Sequence, residues 1–416
     1  NIDTFKAGLG KHFLRPAFYG GAFERGIHMN NFTFCVPTRI HFGKGQISHL
    51  SELVESGSNV LLVYGGGSIK KSGLYDEATA ILADAGLHVV ELSGIEPNPR
   101  IESVREGARL CKEHAIDMVL AVGGGSVIDA AKVIAGAAKY DGDAWDLVLD
   151  RTKIKAALPV YSVLTLAATG SEMDPFAVIS DLSKNEKWGT ASPLFVPKMS
   201  VLDPTYTFSV SKKQTAAGTA DMMSHVFESY FTNVEGATLQ AHMSEALLKT
   251  LVHYGPIALA EPDNYDARAN LMWCGSHAIN GLLDSGAEVA WCVHPMEHEL
   301  SAFYDITHGE GLAILTPVWM KHVLAKDPSK VAAFAEYGRA VFGIAEADDA
   351  QAAAAAIERT EDFLFNQMSL PSKLHEVGIE DEENFAAMAK KAAAGCVGSF
   401  VPLEESDIVE IYRAAL

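Results

Sequence analysis

The side chains with the most chemistry to offer fall in two groups. Asp221 and His225 stand four residues apart in Ala220-Asp221-Met222-Met223-Ser224-His225, a stretch that reads as helix, so both project from one face about a turn apart. Farther along come His294-Pro295-Met296-Glu297-His298 and His308-Gly309. If His294 and His308 arrive from neighbouring elements, one carboxylate and three imidazoles meet at a single centre. Imidazole suits iron, zinc or nickel and carboxylate is a harder ligand, so this set calls for a divalent first-row metal without choosing among Fe2+, Zn2+, Ni2+ and Mn2+. Any one of the 15 histidines alone is more often a hydrogen-bonded core or surface residue. The grouping carries the reading.

The elements that must position these groups are constrained first by bulk properties. A chain of 416 residues is too long for one small core, and 48% hydrophobic with 21% charged residues describes an ordered globular protein, here read as two domains. Lys plus Arg number 33 against 53 Asp plus Glu, a formal charge of -20. Such a surface repels phosphate backbones and anionic membranes, which argues against nucleic acid and membrane partners. No apolar run reaches the roughly 18 to 20 residues that span a bilayer. Cys35, Cys111, Cys274, Cys292 and Cys396 are scattered without a C-x-x-C pair, so neither a disulfide framework nor a thiolate metal site is expected, and a reducing cytoplasm fits.

Residues 1–28 show no helical or strand period and are expected to be a leader or tag-like extension before Met29. From Arg39 to Asp203, short β-branched runs alternate with helical patterns. Asn59–Tyr64, His88–Leu92 and Asp117–Val122 read as strands, with Pro159–Leu166, Phe176–Asp181 and Met199–Asp203 as further candidates. This βαβ rhythm predicts a Rossmann-like α/β domain over 29–211 with a mostly parallel sheet. After Pro204 strand-like runs give way to long helical patterns at Thr238–Tyr254, Tyr265–Leu283, Gly311–Leu324 and Ala350–Met368. Residues 212–416 are therefore expected to form an all-α metal-binding domain, with the active-site cleft between the two.

Gly123-Gly124-Gly125-Ser126 follows a strand and opens a helix, where free backbone N–H groups make a site for a pyrophosphate. It lacks the third glycine of G-x-G-x-x-G, and a tight turn is the competing reading. The earlier loop, Gly65-Gly66-Gly67-Ser68-Ile69-Lys70-Lys71, contains no acid to hold a ribose 2'-hydroxyl. Ser68, Lys70 and Lys71 favour a 2'-phosphate, so NADPH is expected over NADH. Leu164-Thr165-Leu166-Ala167-Ala168-Thr169-Gly170-Ser171-Glu172 ends another strand with hydroxyls that suit ribose and diphosphate, or a plain Thr/Ser-rich turn.

These pieces in this order resemble the iron-containing alcohol dehydrogenase superfamily, and within it the butanol-dehydrogenase-type NADPH-dependent aldehyde reductases. The resemblance spans Met29–Leu416. It rests on Ile95-Glu96-Pro97-Asn98-Pro99, Gly123-Gly124-Gly125-Ser126, Ala168-Thr169-Gly170-Ser171-Glu172, Val201-Leu202-Asp203-Pro204 and the string from His294 to Ala302 with His308-Gly309. It implies Asp221, His225, His294 and His308 as metal ligands and His298 as proton relay. For the cofactor it implies Gly66, Gly67 and Ser68 near the adenosine ribose and its phosphate, and Gly124, Gly125 and Ser126 at the pyrophosphate. Asn98, Asp129, Thr165, Lys187 and Tyr206 enter from the resemblance alone; Asn185-Glu186-Lys187-Trp188 itself looks like an exposed turn. Asp174 departs from the neutral residue of close relatives. A homodimer is implied as well.

From Gln214 to Met320 the only Lys or Arg residues are Lys249 and Arg268, so few cations stand ready to clamp an anionic substrate. The expected substrates are short-to-medium uncharged aldehydes such as butanal, reduced to primary alcohols, with a metal polarising the carbonyl and His298, at an unperturbed pKa near 6.5, passing the proton. Trp273, Trp291, Phe303, Tyr304 and Trp319 are candidates for an apolar lining, with plain core packing as the alternative. A polyol-phosphate dehydrogenase and a dehydroquinate-synthase-like lyase share the expected plan but take anionic substrates. A metal- or nucleotide-binding sensor without turnover is the reading from a different class.

Overall fold

The computed structural model describes residues 28–287, 289 and 291–416. The expected leader therefore lies outside the described residues, apart from its last one. Among the described residues the strands are β1 (Arg39–Phe42), β2 (Asn59–Tyr64), β3 (His88–Leu92), β4 (Met118–Gly123), β5 (Val160–Leu164), β6 (Phe176–Asp181), β7 (Glu186–Ala191) and β8 (Met199–Leu202). Six of them form one sheet in the order β1-β8-β5-β4-β2-β3, with every neighbouring pair parallel. The near-continuous apolar runs explain the arrangement, because strands joined by helical crossovers are covered on both faces. Val60, Leu62 and Tyr64 point to one face, against Leu74, Ala78 and Leu82 of a flanking helix. Leu61 and Val63 point to the other, where Ile101, Val104, Ile128 and Ile134 pack.

The helices of this half are α1 (Ser68–Lys71), α2 (Leu74–Asp84), α3 (Ile101–Glu113) and α4 (Gly125–Ala137), with a short turn of helix at Trp145–Leu149. From β2 the chain steps outward to β3, then crosses back to β4 and continues to β5 and β8 on the opposite side. The direction of winding thus reverses between β2 and β4. Open α/β sheets bind ligands outside the carboxyl ends of the strands at such a reversal. Both Gly-Gly-Gly-Ser loops sit there.

Phe176–Asp181 is a strand but not a member of the main sheet; it pairs antiparallel with Glu186–Ala191. The exposed turn expected at 185–188 is the entry to β7, and Lys187 and Thr190 are buried along it. The local partner satisfies the β6 backbone in a hairpin, while the charges of Glu186 and Lys187 hide the strand period.

The helical half is built around α5 (Lys212–Tyr230), whose N-terminus is capped by the Ser211 side chain accepting from Gln214 N. Every residue from Thr215 to Ser229 is buried. Packed on it are α6 (Thr238–Ala260), α7 (Tyr265–Ala278), α8 (Val293–Tyr304) and α9 (His308–Lys326). Outside these come α10 (Val331–Phe342), α11 (Asp349–Glu361), α12 (Phe385–Cys396) and α13 (Glu405–Ala415). The helix expected over Tyr265–Leu283 stops at Ala278, and the one expected over Ala350–Met368 runs as α-helix from Asp349 to Glu361 and continues as a π turn to Gln367. No described helix is long and apolar enough to cross a membrane.

The first turn of α9 lies directly against α5. A Cβ built on Gly309 would stand 2.0 Å from the Ala217 carbonyl oxygen, so glycine there is a condition of the contact. Gly309→Ala is expected to cost about 1–3 kcal/mol by overpacking, read as a lower midpoint in chemical unfolding. An unchanged midpoint would show that the two helices do not meet so closely.

Candidate metal centre

Because α5 is buried on all sides, its polar residues need partners inside the protein. Asp221 Oδ1 is surrounded by imidazole nitrogens: His225 Nε2 at 3.6 Å, His294 Nε2 at 3.7 Å and His308 Nε2 at 3.6 Å. The ligand atoms of Asp221, His294 and His308 all lie within 4.8 Å of one another. The His225 ring stacks on His294 with centroids 4.6 Å apart. Helix α5 thus contributes a carboxylate and an imidazole, and the first turns of α8 and α9 contribute one imidazole each. The four residues singled out from the sequence are brought together.

The donors fit a cation. Asp221 Oδ1 and His294 Nε2 are buried without a hydrogen-bond partner, an arrangement that costs free energy unless something between them is shared. The set of one carboxylate and three imidazoles is what a first-row divalent metal takes. Side chains of Asp221, His225 and His294 are 5–6% exposed, while that of His308 is 23% exposed. The open side of the cluster is therefore the His308 side.

Two further carboxylates, unread from the sequence, orient these imidazoles. Glu228, on α5, accepts from Cys292 N at 2.8 Å and His294 N at 3.0 Å, and lies 3.2 Å from His294 Nδ1. Glu297, fully buried, contacts His308 Nδ1 and Ser301 Oγ. Each carboxylate sits at the Nδ1 of its histidine, so that Nε2 is the nitrogen turned toward Asp221. The available signal was spacing, since Glu228 is three residues from His225 and Glu297 three from His294.

Lys187 Nζ, carried on β7 from the sheet half, is 3.3 Å from both Glu297 Oε2 and His308 Nδ1. One fixed cation thus reaches the cluster from outside the span in which basic residues are scarce, and Glu297 neutralises it. Burial would raise the Asp221 carboxyl, but the three imidazoles outweigh it and hold the group well below the usual carboxylate range. Burial takes His225 down to about 4 despite Asp221. For His294 burial acts in the same direction, yet the carboxylates of Asp221 and Glu228 win and push it up to about 9.

His298 lies beside the cluster, its ring 5.6 Å from that of His308 and 6.3 Å from that of His294. Its unperturbed value would be near 6.5. Burial, then the charges of Lys187 and His308, lower it well below that value, so it is neutral across physiological pH. Of the five aromatic candidates, Trp291 reaches the cluster, edge-on to His294 at 4.7 Å and to His225 at 5.7 Å. Trp319 is core, packed on Phe231 and Phe334. Trp273 is exposed against Phe42 and His277, and Phe303 sits under the Lys391 ammonium.

The nucleotide candidates divide. Gly66, Gly67 and Ser68 follow β2, Gly124, Gly125 and Ser126 open α4, and Thr165 follows β5, so all seven line the carboxyl ends of three adjacent strands. Nothing lies within 4 Å of a Cβ built on Gly66 or Gly67, whereas one on Gly125 would stand 2.1 Å from Thr169 Oγ1. Gly66 and Gly67 thus face open space, and Gly125 lets the Thr165–Gly170 loop close on the helix start. Asn98 instead bridges to the helical half, donating to Asp305 Oδ1 at 3.0 Å and Ile306 O at 3.3 Å. Asp129 accepts from Ser171 Oγ at 2.6 Å and Val178 N at 2.8 Å, so both carboxylate oxygens are engaged inside the protein. Tyr206 packs beside the core under β2 and α2. Lys187 contacts the metal-centre residues as described. Lys70 lies over the Tyr64 and Tyr75 rings, 3.9 Å from Glu91 Oε2.

Residues 37–204 match the family of iron-containing alcohol dehydrogenases, and residues 215–416 match the C-terminal part of the Fe-containing alcohol dehydrogenase family. This chain belongs to the iron-containing alcohol dehydrogenases. Among its relatives in that family, NADH-dependent butanol dehydrogenase B of Clostridium acetobutylicum is 53% identical over 93% of this chain and 100% of its own. The NADPH-dependent aldehyde reductase of Escherichia coli is 41% identical over 87% of this chain and 93% of its own. The crystal structure of NADH-dependent butanol dehydrogenase A from Thermotoga maritima superposes with a TM-score of 0.88 at 37% identity, covering 93% of this chain and 99% of that one. The iron-containing alcohol dehydrogenase described here is thus an NAD(P)-dependent oxidoreductase with a parallel-sheet N-terminal domain and a helical C-terminal domain.

Two outcomes test the centre. Glu228→Gln is expected to weaken divalent-metal affinity about 10–100-fold with little change in nucleotide binding, measured by competition dialysis; unaltered affinity would remove Glu228 from the support of His294. Because His294 sits up at about 9 without a bound cation, metal uptake at neutral pH should displace its proton, and affinity should strengthen as pH rises toward that value. Metal uptake with no proton release would contradict this.

Proposed function

We propose that Asp221, His225, His294 and His308 hold one divalent metal ion, Fe2+ or Zn2+ first and Ni2+ or Mn2+ as further candidates, and that the enzyme reduces short-to-medium uncharged aldehydes such as butanal with NADPH. The observation that carries the reading is the pair of unpartnered buried atoms, Asp221 Oδ1 and His294 Nε2, at the centre of a three-imidazole ring. When bound there, the ion serves as a Lewis acid that polarises a carbonyl oxygen. The chain supplies the rest. Glu228 and Glu297 keep His294 and His308 in the tautomer that presents Nε2. Trp291 shields His225 and His294 from water.

His298, neutral at working pH, relays a proton to the new alkoxide by giving up the hydrogen on one ring nitrogen while the other accepts its replacement. The backbone N–H groups after Gly124 hold the pyrophosphate, and the open glycines before Ser68 admit the adenosine end. The division into a nucleotide-binding 29–211 and a metal-binding 212–416 is supported by the Ser211 cap that begins α5. A homodimer fits the outer edge of β1, which among the described residues has no strand on its far side, and where Phe42 is exposed along with Met29, Phe32 and Phe34. A cytoplasmic location fits five cysteines that are all free thiols. The dearth of unpaired cations at the cluster disfavours the anionic substrates of a polyol-phosphate dehydrogenase or a dehydroquinate-synthase-like lyase.

For the nucleotide, the loop Gly65–Lys71 without an acid supports NADPH, with Ser68 and Lys71 rather than the occupied Lys70 as its phosphate partners. NADH has a specific argument too, because the 53% identical relative carries it in its name. Metal-stripped enzyme reconstituted separately with each of the four ions, then assayed on butanal with both nucleotides, decides both points. A higher kcat/KM with NADPH and no turnover without metal are expected. Full turnover without metal would end the metal reading, and an NADH preference would transfer the nucleotide reading to the alternative. His225→Ala is expected to abolish turnover while NADPH affinity stays within a few-fold.

A further inference from the structure

A second group of metal-ligating side chains sits at the outer edge of the sheet, on elements that contribute nothing to the cluster around Asp221. His41 projects from β1, and His49 and Glu52 from the 3-10 helix Gln46–Ser56 that follows it. Residues three apart on a 3-10 helix eclipse one another, so His49 and Glu52 come to one face, with His49 Nδ1 and Glu52 Oε1 2.6 Å apart. The His41 and His49 rings stack with centroids 3.6 Å apart and planes 15° apart. One donor atom from each of the three residues falls within 4.8 Å of the others.

Two features of this group are unexplained by a purely structural role. His41 Nε2 is buried and has no hydrogen-bond partner, although its neighbours are polar. Face-to-face imidazoles also cannot both carry a proton cheaply, and burial followed by the proximity of His49 lowers His41 from its ordinary value. A neutral imidazole with a spare lone pair is a metal ligand. Facing the group are Glu52, which also pairs with Arg39 Nη1 at 2.9 Å, and Arg39 itself, whose side chain is 56% exposed and can swing to solvent.

We propose that His41, His49 and Glu52 form a second metal site, selective for Zn2+ and other late first-row divalent ions, that ties the edge strand β1 to the helix after it. Two imidazoles and one carboxylate are a set zinc accepts with water completing the shell. Occupation requires the His49 ring to turn out of the stack so that its nitrogen and that of His41 address one centre, with Glu52 released from Arg39. The site is open to solvent at His49 and Glu52, 35% and 28% exposed, and exchanges its ion more readily than the buried cluster.

The test is Zn2+ stoichiometry by equilibrium dialysis on the full chain, with thermal unfolding alongside. The wild type should take up two equivalents. His49→Asn and His41→Asn should each take up one and keep full aldehyde turnover, while His225→Ala should lose the other equivalent and keep the edge-strand one. Zn2+ should still raise the unfolding midpoint of His225→Ala and leave that of His225→Ala/His49→Asn unmoved. A single wild-type equivalent that His225→Ala removes would overturn the edge-strand site and leave the catalytic reading intact. A second equivalent that survives both His41→Asn and His49→Asn would overturn it equally.

Discussion

The burial of helix α5 from Thr215 to Ser229 is the constraint from which the site follows. A helix with core on every side usually carries apolar residues all round, yet this one carries Asp221, His225 and Glu228 on one face. Each must be matched within the protein, and the matching groups come from the first turns of α8 and α9. The backbone of α9 can approach only because Gly309 has no side chain. Position, packing and chemistry are therefore one problem at this helix: moving α9 outward by a methyl group would withdraw His308 from Asp221.

The parts of this arrangement legible in the sequence were those with a local period or a local composition. Asp221 and His225 declared a helix face by their spacing, and the two Gly-Gly-Gly-Ser loops declared strand ends by what flanks them. What could not be read depends on contacts between distant segments. Glu228 and Glu297 look like ordinary helix carboxylates until their partners are placed, and Lys187 looks exposed until β7 folds against α8. The hairpin β6–β7 was half visible because β6 has apolar residues at buried positions, whereas the Glu-Lys start of β7 masks its alternation. The surroundings of His298 were hidden for the same reason, since burial and a neighbouring ammonium are properties of the assembled fold.

Asp174 illustrates how a local departure is absorbed. It is buried, and burial pushes it up to about 7 even though the fully buried Lys132 ammonium is 2.8 Å away. The same ammonium donates to the Phe176 carbonyl at 2.7 Å, and Asp174 accepts from Phe176 N at 2.6 Å. Helix α4, whose N-terminus carries the phosphate-binding candidate loop, is thereby fastened to the start of the hairpin that delivers Lys187. Removing either partner alone would strand a buried charge, so the two residues are constrained to change together.

The side chains touching the centre also fix the formal charge it tolerates. Asp221, Glu228 and Glu297 are three buried carboxylates, and Lys187 is a buried ammonium that contacts Glu297. Taken as ionised, they leave two negative charges in a region with little access to screening water. A doubly charged cation would close that imbalance. The enclosure therefore acts on the charge of its occupant as well as on geometry. A divalent ion taken up there would leave the centre close to neutral, whereas a monovalent ion would leave buried negative charge uncompensated.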